Sequence, residues 1–362
     1  MVTEVYGCII WGMSKTGERT VKKSHWKLIL NIITVFLLAL LVYGSRDQLH
    51  QTMANLWHVK VYILLLIIPI EFLNYHAQAR LYQRLFNLVG SSFSYWYLFR
   101  VSLEVNFVNH VFPSGGAAGV SYFTVKVSKD NDVSGGKVTL VHLIKLAATF
   151  VTLELVIAFG LLSLAIGNRV NSLLLLVTAT LTTVIILVTA AVPYIVGSQS
   201  RINSLFTTIT ILLNKLIHLF RPHSPETISI EAAKSTFIDF HDNYKLLKTR
   251  WRELRLPVLY ALLANITEIA ALYVVYLAFD KYVNVGAVII AYSVANFAGL
   301  ISVLPGGVGI YEALMTAVMA SAGIPPGVSL PVIVMYRVVN TIIQVPPGYY
   351  LYQRSMRHKN AT

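Results

Sequence analysis

Charged side chains are scarce in this 362-residue chain. Asp, Glu, Lys and Arg make up 12% of the residues, against roughly 25% in a typical soluble domain. Mean hydropathy is +0.65, and several apolar stretches approach the ~20 residues that a helix needs to cross a bilayer. The shortage of charge excludes an ordinary soluble domain and predicts an integral membrane protein.

Cysteine and the common catalytic motifs are also missing. The one cysteine, Cys8, excludes an intrachain disulfide and a metal site built from several cysteines. The ten histidines show no HExxH spacing, and the chain contains neither a P-loop nor a GxGxxG motif that opens a helix after a strand. We therefore predict no metal, no cofactor and no ATP-binding element.

Positive charge is in excess, with a net charge of +13, and its distribution indicates topology rather than nucleic-acid binding. Apolar stretches that predict full spans cover 27–44, 56–75, 137–166, 172–197, 256–279 and 328–352. With the N-terminal tail inside, 22 Lys and Arg residues fall on the cytoplasmic side and three, Arg46, Arg169 and Lys281, outside. This positive-inside bias predicts cytoplasmic termini and a multi-pass protein of the cytoplasmic (inner) membrane.

Two proline–glycine breaks interrupt apolar sequence, one in each half of the chain. They are Pro113-Ser114-Gly115-Gly116 and Leu304-Pro305-Gly306-Gly307. Unpaired backbone groups are costly in hydrocarbon, so broken helices at membrane depth line protein cavities. A matched pair of interrupted segments is the sequence sign of a transporter's substrate site. We therefore predict two re-entrant hairpins, at 93–125 and 285–322.

The order of predicted elements indicates an internal repeat. Residues 1–170 and 171–362 each contain two spans, a broken hairpin and a third span. Three crossings per half reverse the orientation of the second half, which is the pattern of an inverted-topology repeat. The predicted fold is therefore an all-α polytopic membrane protein with about six full spans and two re-entrant hairpins. The polar insertion at 198–255 begins with an amphipathic stretch typical of a helix lying at the membrane surface.

The predicted substrate site is built around the two breaks. Glycines let the backbone turn and expose N–H groups, and the amino end of a following half-helix attracts anions. The predicted substrate-binding residues are Ser114, Gly115, Gly116, Pro305, Gly306, Gly307, Gly309, Arg337, Arg100 and Asn340. Arg337 is favoured as the basic partner of Glu312 or of a substrate phosphate, because its guanidinium donates two parallel hydrogen bonds.

Intramembrane carboxylates form the second predicted group. Glu312, Glu104, Glu154 and Glu268 are predicted to form an ion-pair or proton-relay network. Arg337, Asn340 and Gln344 share one helical face, which must look inward. Glu71 is expected near the cytoplasmic end of its span, where it reaches the interface. The alternatives are buried ion pairs that only fix helix packing, and a local pair between Arg100 and Glu104.

Two motifs and the later Arg337 resemble a known family. PSGGAAG at 113–119 and LPGGVGIYE at 304–312 are similar to the signature of the lysylphosphatidylglycerol synthase transmembrane (flippase-domain) family. The resemblance implies a flippase-like fold with re-entrant helices and movement of a lipid between leaflets. It also implies a stand-alone member, since no aminoacyl-transferase domain follows, so lipid aminoacylation is not implied.

The favoured hypothesis is a non-enzymatic flippase-like transporter for a lipid with a polar headgroup. The headgroup is expected to bear phosphate, and the lipid to be anionic or polyprenyl-linked. One alternative is an accessory scaffold whose partner is a lipid synthase or glycosyltransferase of the cell envelope. A further alternative is an intramembrane enzyme acting on a lipid phosphate, although no nucleophile–base pair is visible. Nucleic acid is not an expected partner.

Overall fold

The computed structural model describes residues 59–112, 116–198, 249–301 and 309–359, together with five single positions between 200 and 244. The predicted span 27–44, the centres of both breaks and most of the insertion 198–255 lie outside the described residues. The described part is all-helical and contains no strand. This confirms the predicted all-α class.

Ten α-helices, numbered here in chain order, make up the described residues. They are α1 Val61–Leu64, α2 Ile67–Leu88, α3 Tyr95–Val111, α4 Ala117–Asn131, α5 Gly135–Ile166, α6 Ser172–Val196, α7 Arg255–Ala278, α8 Val285–Ile301, α9 Ile310–Ser321 and α10 Pro326–Lys359. A 3₁₀ turn at Trp251–Leu254 leads into α7.

Within the described residues, five segments are long and apolar enough to cross a membrane. They are Val61–Leu88, Gly135–Ile166, Ser172–Ile195, Trp251–Ala278 and Pro326–Ser355. Four of these match their predicted spans closely. The prediction 56–75 is displaced, because α2 continues to Leu88. Its polar residues are paired inside the protein: buried Asn74 donates to the backbone oxygen of Ala264 at 3.0 Å and to Oγ1 of Thr267 at 2.9 Å.

Each predicted break falls between two helices of 12–17 residues. The chain leaves α3 at Val111 and enters α4 after Gly116, and it leaves α8 at Ile301 and enters α9 after Gly309. The φ angles of these two glycines are 86° and 90°. L-residues rarely adopt such angles, so glycine is needed at the start of each second helix.

The helices of the two halves pack against one another. The most extensive interface joins α2 to α7, while α3 packs on α10 and α8 packs on α5. At the crossing of α5 and α8 the backbones touch: a Cβ added at Gly286 would lie 2.2 Å from the carbonyl oxygen of Gly160. Large apolar side chains of α6, including Leu173, Leu176 and Leu187, remain exposed. Such a surface suits contact with lipid.

Candidate functional site

One face of α10 carries four polar side chains between the helix-interior prolines Pro331 and Pro346. The four residues are Tyr336, Arg337, Asn340 and Gln344. Asn340 follows Tyr336 by four residues and Arg337 by three, and Gln344 follows Asn340 by four, so Asn340 lies next to each of the other three on the helix surface. They contact carboxylates from α2, α7 and α9. The sequence predicted this inward polar face from Arg337, Asn340 and Gln344 but did not include Tyr336.

Arg337 and Glu312 form an ion pair that joins α10 to α9. Nη1 of Arg337 lies 2.9 Å from Oε1 of Glu312. The other carboxylate oxygen, Oε2, accepts a hydrogen bond of 2.6 Å from the backbone N–H of Gly309. The guanidinium also lies over the ring of Tyr311, 5.0 Å from its centroid. The predicted partner of Arg337 is therefore in place at the amino end of α9, where the helix dipole favours an anion.

Glu268 approaches the same face of α10 from α7. Its Oε2 accepts a 2.9 Å hydrogen bond from the hydroxyl of Tyr336. The amide of Asn340 donates to that hydroxyl at 3.2 Å. The structure thus brings Glu268 and Asn340 together through Tyr336, the residue that precedes Arg337.

Glu71 belongs to this cluster, and its expected position at the cytoplasmic end of a span was wrong. Because α2 runs to Leu88, Glu71 lies in the first half of that helix and is 2% exposed. Its Oε2 accepts a 2.8 Å hydrogen bond from Nε2 of Gln344. The amide of Asn106 on α3 donates to Oε1 of Gln344 and to the hydroxyl of Tyr75. A hydrogen-bonded chain of four side chains, Glu71, Gln344, Asn106 and Tyr75, therefore connects α2, α10 and α3.

Glu104 is part of a separate, buried cluster in the first half. Its Oε2 lies 3.5 Å from Nζ of Lys126 on α4 and accepts a hydrogen bond from the hydroxyl of Tyr122. The ammonium of Lys126 also lies 3.2 Å from Asp130. Glu104 therefore does not pair with its neighbour Arg100, whose side chain is exposed. The local i,i+4 pair considered from the sequence is wrong.

Lys126 also connects this cluster to α10, because its ammonium donates a hydrogen bond to Oγ of Ser355. Glu154 lies elsewhere: its carboxylate faces Thr182 on α6. The four predicted relay carboxylates are therefore divided. Glu312 and Glu268 share the polar face of α10, while Glu104 and Glu154 lie in other surroundings.

Five of the predicted substrate-binding residues belong to the centres of the two breaks. Ser114, Gly115, Pro305, Gly306 and Gly307 lie outside the described residues. The flanking glycines of both breaks are described and start α4 and α9, as given above. Whether these positions contact a headgroup stays a prediction.

A cavity of about 490 Å³ lies at the ends of the helices rather than beside Arg337. Three loops line it: the one after α5, the one between α7 and α8, and the one between α9 and α10. Arg169 and Lys281 face this cavity. These are two of the three basic residues that the topology prediction assigns to the outer side. None of the predicted site residues lines the cavity.

Comparison with known proteins identifies the family. A sequence model described as the lysylphosphatidylglycerol synthase TM region matches residues 28–348. The chain belongs to this family. The match includes both breaks and Arg337, and the resemblance predicted from those motifs is confirmed.

Two relatives are archaeal membrane proteins. The UPF0104 membrane protein MJ1595 of Methanocaldococcus jannaschii is 22% identical over 335 residues, which cover 91% of this chain and 94% of the relative. A UPF0104 membrane protein of Methanothermobacter thermautotrophicus is 38% identical over 65 residues, which cover 18% of this chain and 20% of the relative. Neither name specifies a substrate or a reaction. The chain is thus a multi-pass membrane protein of this family.

Proposed function

We propose that this protein moves a lipid with a phosphate-bearing headgroup between the two leaflets of a membrane, without acting as an enzyme on it. The observation that carries the proposal is the Arg337–Glu312 pair at the amino end of α9. An ion pair is costly inside a membrane protein unless it has a function or fixes the packing. This pair lies at the start of α9, directly after the second break, and the amino end of a helix is a place where anions bind.

The Arg337–Glu312 pair can open to bind the phosphate of a lipid headgroup and close again after the lipid has left. An incoming phosphate can replace the Glu312 carboxylate at Arg337 and accept two parallel hydrogen bonds from the guanidinium. Glu312 keeps its hydrogen bond from Gly309 while the anion is bound. The acyl or polyprenyl chains stay in the bilayer, and the headgroup alone crosses between the helices. When the lipid leaves, the Glu312 carboxylate pairs with the Arg337 guanidinium again.

An inverted repeat provides the two alternating orientations. The starts of α3, α4 and α5 recur as the starts of α8, α9 and α10 at a nearly constant spacing along the chain. The left-handed glycines Gly116 and Gly309 occupy corresponding positions. The N–H of Lys60 donates to the carbonyl of Ala278 at 2.9 Å, and the amide of Asn74 donates to the carbonyl of Ala264 at 3.0 Å. Later residues of the α1–α2 segment therefore meet earlier residues of α7, so α2 and α7 run in opposite directions. We assign residues 1–170 and 171–362 to the two repeats on this basis.

The proposed location is the cytoplasmic membrane, with both termini inside. Labelling of single cysteines tests the orientation, after Cys8 is replaced by serine. Cysteines at Arg169 and Lys281 should react with a membrane-impermeant maleimide in intact cells, and a cysteine at Arg354 should react only after permeabilisation. The opposite pattern would invert the topology.

Reconstitution tests the transport proposal. Liposomes that contain the purified protein and a fluorescent phospholipid are treated with a membrane-impermeant quencher, and the rate at which inner-leaflet label becomes accessible is measured. Arg337→Ala removes charge-assisted contacts worth about 1.5–3 kcal/mol, so it should slow translocation at least about tenfold. The matched control is Arg354→Ala, on the exposed surface of the same helix.

Other outcomes would decide against the proposal. If wild-type protein and Arg337→Ala move lipid at the same rate as empty liposomes across anionic and polyprenyl-linked probes, the protein is not a flippase for these lipids. Activity seen only with a co-purifying synthase or glycosyltransferase would favour the scaffold alternative. Chemical conversion of the lipid by the purified protein would favour an enzyme.

A further inference from the structure

Two carboxylates besides Glu312 contact the polar face of α10 in the interior. Glu71 on α2 and Glu268 on α7 both contact the polar face of α10 and repel each other electrostatically. Two like charges that repel each other in a poorly solvated interior cannot both be held ionised without compensation.

The compensation available is less than the charge. The hydrogen bonds to the two carboxylates come from neutral groups, the Gln344 amide and the Tyr336 hydroxyl. One cation, Lys145 on α5, attracts Glu268 without forming an ion pair within 4 Å in the described residues. Its ammonium instead faces the ring of Tyr82, 5.5 Å from the centroid. One lysine can balance one of the two carboxylates.

Two buried oxygens at this place have no hydrogen-bond donor within the described part of the chain. They are Oε1 of Glu71 and Oδ1 of Asn340. A buried acceptor without a donor costs about 1–3 kcal/mol. Oδ1 of Asn340 is always an acceptor, and Oε1 of Glu71 is an acceptor as long as Glu71 is ionised. A proton on Glu71 converts its unpaired oxygen into a donor, and it removes one of the two negative charges.

We propose that the Glu71–Glu268 pair binds one proton and that this proton couples to lipid movement. This inference rests on the proposed function, because it names the proton as the ion that drives the proposed lipid movement. Proton binding neutralises one carboxylate while Lys145 balances the other. Release of the proton restores the repulsion between Glu71 and Glu268, which are held by α10 on one side and by α2 and α7 on the other. The charge state of the pair thereby biases how α10, which also carries Arg337, packs against the other helices.

Ionisable groups on the adjacent helices α2, α5, α8, α9 and α10 surround the pair. Those that act on it or adjoin it are Tyr75 on α2, Lys145 on α5, Tyr292 on α8, Tyr311 and Glu312 on α9, and Tyr336 and Arg337 on α10. The Arg337 charge is already matched by Glu312. One positive charge, that of Lys145, then faces the two negative charges of Glu71 and Glu268. One bound proton neutralises the remaining negative charge.

Infrared spectroscopy of the purified full chain tests proton binding without any transport assay. The carbonyl stretch of a protonated carboxylic acid is followed in difference spectra while the pH is raised. A band that disappears at high pH is expected in the wild type and should be absent in Glu71→Gln. In Glu268→Gln the repulsion is gone, so the band should disappear at a lower pH. The exposed Glu253→Gln, whose side chain pairs with Arg250, is the matched control.

The outcomes separate this inference from the proposed function. An unchanged band in both Glu71→Gln and Glu268→Gln overturns the proton site, and so does loss of the wild-type band when sodium replaces choline in the buffer. If Glu71→Gln does not fold, Glu268→Gln still decides, because the shift to lower pH is specific to the pair.

Coupling is then tested in liposomes with a pH gradient. Wild-type translocation should depend on the gradient, and Glu71→Gln should translocate at a rate that does not. A wild-type rate that ignores the gradient, while the infrared band is present, overturns coupling but leaves the flippase proposal standing. Absence of any translocation together with the expected band overturns the flippase proposal and leaves a protonated pair.

Discussion

The ion pairs beside the two breaks differ in how completely the protein encloses them. In the first half, the side chains of Lys126 and Glu104 are 10% and 5% exposed. Lys126 has two further partners, and Glu104 also accepts from a tyrosine. In the second half, the side chains of Arg337 and Glu312 are 18% and 16% exposed. The partner of the arginine can therefore be exchanged with less rearrangement.

This difference in exposure indicates different roles for the two ion pairs. A closed, fully hydrogen-bonded pair stabilises one arrangement of helices and loses much if either member is removed. A more open arginine with a planar fork can exchange one oxyanion for another. We therefore assign a structural role to the Lys126–Glu104 pair and a binding role to the Arg337–Glu312 pair.

The largest effect on stability is expected from Lys126→Ala. It leaves the Glu104 carboxylate buried without its cation, which typically costs ~3–5 kcal/mol. The measurement is thermal or denaturant unfolding of the purified protein in detergent. A matched change, Lys129→Ala on the same helix, tests removal of a lysine at a more exposed position. Equal stabilities of the two variants would contradict the structural role of Lys126.

A smaller loss is expected where the halves meet without charge. Gly286→Ala places a Cβ against the carbonyl oxygen of Gly160 and should cost ~1–3 kcal/mol by overpacking. Gly327→Ala is the control, because nothing lies within 4 Å of its added Cβ. If both variants unfold at the same temperature, the close crossing of α5 and α8 does not limit stability.

Glu312→Gln should destabilise the fold less than Lys126→Ala. Glutamine keeps an acceptor for the N–H of Gly309 and loses only the charge, so we expect about 1–2 kcal/mol, between exposed and buried pairs. Translocation should slow more than stability falls. A stability loss as large as that of Lys126→Ala would remove the distinction between the two pairs.

The smallest effect is expected from Lys60→Ala. Its ammonium lies 2.8 Å from Asp280, and the two side chains are 40% and 58% exposed. This hydrogen bond raises the pKa of Lys60, so any contribution is present at neutral pH and is lost as the pH rises through that pKa. Surface pairs of this kind are screened by solvent and salt. A loss of stability as large as that of Glu312→Gln would contradict this ranking.

Much of the fold could be predicted because its signals are local. Apolar runs, glycine and proline mark helices and their ends by rules that act within a few residues. The ends of α5, α6 and α7 lie within a few residues of their predicted positions. The end of α2 could not be placed, because its polar residues are stabilised by α7 and α10, which are distant in sequence.

The candidate site could be predicted only in part. The Arg337–Glu312 pair followed from two signals: a glutamate at the start of a half-helix and an arginine within a span. Glu71 was missed because a lone glutamate gives no sign of its depth when the helix end is placed wrongly. The partner of Glu104 was missed because Lys126 follows a break in the chain, where helical spacing no longer predicts neighbours.

Sequence by itself determined that the chain crosses the membrane several times, that two segments break, and that arginine and carboxylates are held inside. Hydropathy, backbone chemistry and charge act on each segment separately, so no knowledge of packing was needed. Only the tertiary structure decided which carboxylate meets which cation and which remain without one. Those contacts join residues from opposite ends of the chain, such as Glu71 and Gln344, and they form only when the helices of the two halves pack together.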